Sequence, residues 1–150
     1  MAVRISQQTG SLINDINPNI NVGIDLPFRL GNGGEGYFAT SKTTIDSIKN
    51  DIKLLLGTHQ GERFFRPTLG INLRKYLFEQ YNIDTIVNVQ NDILDTIKTY
   101  LPFVQVRDIK VSMDETDDIG KNRMTIKVLF FLEKDPGALS SVDVDVTSGE

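Results

Sequence analysis

Apolar residues recur at helical spacing in two stretches of the chain and alternate along its last third. Over 43–56, Ile45, Ile48, Ile52, Leu55 and Leu56 fall on one face of a predicted helix. Thr43 stands at the N-cap with Asp46 three residues on, and Gly57 suits the C-terminal cap. A second helix is predicted over 82–101. Asn82 caps it, Asp84 sits in the first turn where the helix dipole favours an anion, and Pro102 ends it. Its predicted buried stripe is Ile83, Ile86, Val87, Ile93, Leu94, Ile97, Tyr100 and Leu101. Between the two, 72–78 reads as a short helix with Leu73, Tyr76 and Leu77 inward.

The alternating segments predict strands. Along 104–113, Val104 and Val106 share one face, whereas Ile109, Val111 and Met113 follow in the opposite register, so a bulge is expected near Arg107 and Asp108. Along 123–132, Met124, Ile126, Val128, Phe130 and Leu132 alternate cleanly, and Leu129 and Phe131 are apolar on the other face as well. The acidic stretch 114–122 and the sequence Asp135-Pro136-Gly137 both read as turns. Val142, Val144 and Val146 alternate with Asp143 and Asp145 in a short last strand, whose outward acids discourage casual edge pairing.

Toward the N-terminus the pattern fades. Residues 1–24 are rich in Asn, Gln and Ser with single apolar residues, and are expected to form a polar arm. Over 25–40 the chain reads as a short extended segment, a glycine loop at 31–36 and a second short strand. The glycines superficially suggest a phosphate cradle, but no helix opening with Lys-Ser/Thr follows, so a hairpin turn is the better reading. The expected fold class is α+β, with two main helices packed on one face of a mostly antiparallel sheet. The expected organisation is a polar arm over 1–24 and a single α+β domain over 25–150.

Composition narrows the function. The chain has 150 residues, 39% hydrophobic and 24% charged, enough for one core without covalent staples. Its net charge of −4, from 16 basic and 20 acidic residues, lacks the basic excess of a nucleic-acid binder. No apolar run is long enough to span a bilayer, so no membrane is expected. With no Cys and one His, His59, there is no thiolate site and no set of histidines for a metal or a catalytic triad. Asp114, Glu115, Asp117 and Asp118 lack the calcium-loop spacing. No cofactor and no metal are expected.

The unusual chemistry lies in Gly61-Glu62-Arg63-Phe64-Phe65-Arg66-Pro67-Thr68-Leu69-Gly70. A glycosidase would need Glu62 as general acid with a second carboxylate, for which Asp51, Glu79 and Asp84 are the nearest choices. Arg63 and Arg66 beside it favour its ionised form, the wrong one for that role. Recognition suits the segment better, since two guanidinium forks, two phenyl rings and a rigid proline sit in one loop. The plainer reading is that Phe64, Phe65 and Leu69 plug the core while Glu62 pairs with an arginine inside the molecule. Both readings stand at this point.

The pattern Gly61-Glu62-Arg63-x-x-Arg66-Pro67-x-x-Gly70, followed by Leu73-x-x-x-Leu77-Phe78-Glu79, resembles the baseplate wedge family of contractile-tailed phages. That family is often labelled lysozyme-like and is related to the type VI secretion baseplate subunit. The flanks agree from residue 24 to 132, including Pro27-Phe28, the glycine loop and Ala39-Thr40-Ser41. The resemblance implies a structural, non-enzymatic subunit of the virion tail baseplate, assembled in the host cytoplasm. Its implied partners are the baseplate wedge core proteins, the tail sheath protein and, as a further candidate, the tail tube, with six copies per baseplate. It also implies that Glu62, Pro67 and Arg66 dock on the wedge core, with Arg63 or Arg74 as alternative arginines. The subunit would start sheath assembly, and the strand carrying Val142, Val144 and Val146 would template sheath strands. Two rivals remain: a peptidoglycan hydrolase of the tail, and a small cytoplasmic regulatory binding protein.

Overall fold

The computed structural model describes residues 21–31, 36–80, 82–115, 122–133 and 135–147. Most of the expected polar arm, the centre of the glycine loop and most of the acidic turn lie outside these residues. A small antiparallel pair comes first: β1 (Gly23–Ile24) against β2 (Thr40–Ser41), with a further bridge between Leu30 and Phe38. Then follow α1 (Thr44–Gly57), a 3-10 segment (Leu73–Phe78) and α2 (Ile83–Tyr100). The chain ends in β3 (Val104–Glu115), β4 (Asn122–Leu132) and β5 (Asp135–Thr147), an antiparallel meander with β4 in the centre. The fold is therefore α+β, as the apolar pattern indicates.

Each helix starts where its cap dictates. The Thr43 hydroxyl accepts from the Asp46 N–H at 3.1 Å, and the Asn82 side chain accepts from the Thr85 N–H at 2.8 Å. The end of α1 differs from expectation. Gly57 is its last residue, and Thr58 is the cap, donating its hydroxyl to the Leu54 carbonyl at 2.6 Å. That bond satisfies a carbonyl which would otherwise be orphaned, so no left-handed glycine is required.

The bulge falls where the phase change demands it. Val106 pairs with Phe130 and Asp108 with Leu129, leaving Arg107 extra. This returns Ile109, Val111 and Met113 to the face of Val104 and Val106. α1 packs on β5 and α2 on β3, so both helices cover that face. The core between them holds Ile52, Leu56, Leu73, Val89, Ile93, Ile97, Met124, Ile126, Val128 and Phe130.

Three expectations are corrected. The stripe of α2 is rotated: Ile83 is 78% and Val87 45% exposed, while Thr85, Val89, Ile93 and Ile97 face the core. β3 runs through Asp114 and Glu115, which pair with Arg123 and Asn122 instead of opening a turn. Asp135-Pro136-Gly137 is no turn, because Leu132 already pairs with Asp135 and β5 continues for 13 residues. The outward acids of β5 meet cations across the strand, Lys127 with Asp143 at 3.5 Å and Arg123 with Asp145 at 2.7 Å.

Candidate docking site

The segment 58–70 leaves the end of α1 and returns to the core at Ile71. Its base is closed by the Ile71 N–H donating to the Thr58 carbonyl at 2.9 Å. Inside it, the Gly61 N–H donates to the Pro67 carbonyl at 2.7 Å, the Arg66 N–H to the Arg63 carbonyl at 3.2 Å and the Leu69 N–H to the Arg66 carbonyl at 3.1 Å. The Tyr100 hydroxyl, at the last residue of α2, donates to the Thr68 carbonyl at 2.6 Å. The loop is thus a series of tight turns tied to both helices.

Glycine is needed at the closing end. Gly70 has φ of +104°, and a Cβ there would lie 2.2 Å from the Thr58 carbonyl oxygen. Gly61 also has positive φ, +88°, but faces open space.

This framework puts most of the loop's large side chains outside. Leu69 alone among the loop's large apolar residues turns toward the core, where it packs partly buried. Phe64 and Phe65 are 91% and 94% exposed, their rings edge to face at 5.4 Å. The expectation that both plug the core is therefore wrong, since Leu69 takes that place. Glu62 is not paired with an arginine either. Its carboxylate accepts from the His59 N–H at 3.0 Å and stabilises the turn. Arg63 and Arg66 form no ion pair among the described residues. The ring of His59 is half-buried, with Nδ1 shielded and lacking a hydrogen-bond partner among the described residues.

Shallow depressions surround the loop. One of about 610 Å³ is lined by Arg63, Phe64, Phe65, Arg66 and Leu69. A second of about 200 Å³ joins Arg63, Arg66 and Leu69 to Asp51, Leu54, Leu55, Tyr100 and Leu101. Asp51 lies beside apolar groups there, and the resulting loss of water raises its carboxyl above the usual range. Glu62 and Arg63 also border a third depression with Leu26, Lys53, Leu54, Gly57 and Thr58, which holds no second carboxylate.

Among the sequence-predicted residues, Glu62, Arg63, Arg66 and Pro67 come together in the loop. Arg74 is exposed on the 3-10 segment and lines none of these depressions. Val142, Val144 and Val146 are on β5, turned to the core, with Val142 and Val144 buried. Leu54, Lys53 and Tyr100 were not legible as site residues, and Asp51 was named only as a possible carboxylate partner of Glu62. For Leu54 the signal was present, because three successive leucines cannot all face one side of a helix.

The model of the baseplate wedge protein gp25 family matches residues 42–137, a span that includes α1, the loop, α2 and the meander as far as the start of β5. The chain belongs to that family. Two solved structures share the wedge fold with TM-scores of 0.60. One is a Geobacter sulfurreducens protein provisionally called a tail lysozyme, 19% identical over 72% of this chain and 94% of that one. The other is a chain of the anti-feeding prophage baseplate, 18% identical over 73% of this chain and 82% of that one. A chain of the type VI secretion baseplate complex aligns with a TM-score of 0.48 and 16% identity, over 71% of this chain and 94% of that one. No curated protein matches this wedge-family chain in sequence.

Proposed function

We propose that the protein is a non-enzymatic baseplate subunit of a contractile tail which docks on the wedge core through loop 61–70 and helps to start the sheath. The observation that carries this reading is the loop itself. A rigid frame presents Arg63, Phe64, Phe65 and Arg66 to solvent, where neither arginine has an ion pair and neither ring enters the core among the described residues. A loop backbone held ready in this way loses little freedom on binding. Family membership supplies the setting, a tail baseplate, and the wedge core is the partner this reading assigns within it.

Arg66→Ala tests the reading. Thermal unfolding of the variant should match the parent, while its incorporation into cognate baseplates lacking this subunit should fall at least tenfold. Lowered stability with unchanged incorporation of the folded fraction would refute docking through this loop. The hydrolase alternative has little support, because Glu62 serves the turn and its depression offers no second carboxylate. Purified protein should release no soluble fragments from peptidoglycan, and turnover abolished by Glu62→Gln would overturn that.

The sheath-starting role rests on β5. It is one of the two outer strands of the meander, and no strand pairs with its far edge among the described residues. Such an edge can accept an added strand. Val142 and Val144 belong to the core, so the backbone edge, not their side chains, would be the template. The chain has no Cys, which allows a direct test. Asp143→Cys should form a disulfide with single cysteines placed along an extended arm of the sheath subunit, the segment that would add to this edge. Efficient sheath growth with no such cross-link at any arm position would remove β5 from the account.

A further inference from the structure

Loop 61–70 carries two different chemistries on one surface. Phe64 and Phe65 form an aromatic edge-to-face pair standing almost wholly in water. Arg63 and Arg66 line the same two depressions, over a floor that includes Leu69 in both and Leu54, Leu55 and Leu101 in one. Lys53 borders the adjoining depression with Arg63. The chain as a whole is acidic, with net charge −4, yet here the cations outnumber the anions.

The nearby acids do not balance them. The Glu62 carboxylate is held by the His59 N–H. Asp51 lines the recess with both arginines but forms no ion pair with either. In the free subunit this imbalance matters little, because water solvates exposed guanidinium groups. A docked neighbour would strip that water away. Guanidinium groups removed from water without a counter-charge are strongly unfavourable, and since cations outnumber anions here, a covering surface that brings carboxylates complements them best. The phenyl rings set the second requirement, an apolar contact beside those carboxylates.

Resting on the docking reading above, we infer that the occupant of this loop is an acidic, apolar segment of a neighbouring subunit. One of its carboxylates sits between Arg63 and Arg66, and its apolar side chains pack on Phe64 and Phe65. The planar forks of the two arginines suit bidentate pairing with a carboxylate.

Carboxylate-specific chemistry tests this in assembled baseplates. The double variant Arg63→Lys/Arg66→Lys keeps the charge and presents amines. Treatment with a carbodiimide joins an amine to a carboxylate in direct contact. Mass spectrometry should find peptides of that double variant, linked through an introduced lysine, to an Asp or Glu of another polypeptide. Links only to this chain's own Asp51 or Glu62 would overturn the inference. A second pair of variants guards against failure of the lysine form to assemble. Arg63→Glu/Arg66→Glu should enter baseplates at least tenfold less well than Arg63→Gln/Arg66→Gln, because reversal repels a carboxylate whereas neutralisation only loses its attraction. Equal defects in the two would show that the occupant is not acidic, while leaving docking intact. Undiminished entry of Phe64→Ser/Phe65→Ser and of both charge variants would instead remove the docking reading itself.

Discussion

At Gly70 an added methyl group would collide with the Thr58 carbonyl, and the backbone is in a region that side chains rarely adopt. Gly70→Ala should therefore cost about 3 kcal/mol or more in denaturant unfolding. Gly61→Ala keeps only the backbone strain, and its cost should be about 1 kcal/mol. The pairing around Asp92 gives a pH dependence. Burial alone would raise its carboxyl, but hydrogen bonds from Tyr76 at 2.5 Å and Lys75 at 3.1 Å outweigh this and hold it below the usual range. Asp145 is likewise held low by Arg123 and Thr125. A carboxyl lowered on folding stabilises above its unfolded value of about 4 and loses that contribution as pH falls through the folded value. Stability should thus decline on acidification below about pH 4. Asp92→Asn should be less stable at neutral pH and show a shallower decline, as followed by thermal unfolding across pH.

At the level of elements, helix starts, the bulge and the central strand were legible because local chemistry decides them. Thr43 and Asn82 cap whatever follows, and β4 alternates without exception through its buried residues. What escaped depended on packing between elements. α2 has apolar residues around more than one side, and only the position of β3 selects Val89, Ile93 and Ile97 over Ile83 and Val87. Val89→Ala should cost about 2 kcal/mol, whereas Ile83→Ser should stay within about 0.5 kcal/mol. Asp135-Pro136-Gly137 has the composition of a turn, yet cross-strand register overrides it. The loop was legible as a segment of unusual composition but not in its orientation, since nothing local says that Leu69, and not a phenylalanine, fills the core. The extent of β5 also has a consequence for stability. A chain ended after Leu139 loses Val142 and Val144 from the core, and its circular dichroism should show no cooperative unfolding transition.

For the molecule as a whole, the described residues hold no group of three or more potential metal ligands, and no described helix is long and apolar enough to cross a membrane. Chelator treatment should leave the thermal midpoint unchanged, and a drop of several degrees would reveal a bound ion. The tie between Tyr100 and Thr68, together with the closure of the loop base at Thr58, gives loop 61–70 a mechanical character. It is an arch with one foot on the end of α1 and a strut from the end of α2. A chain held at one point would stretch under load and let its neighbour drift. An arch braced by main-chain and hydroxyl hydrogen bonds passes the load to both helices, and through them to the sheet they cover. On the docking proposal, a neighbouring subunit that shifts against the crown of this loop would carry the whole body with it.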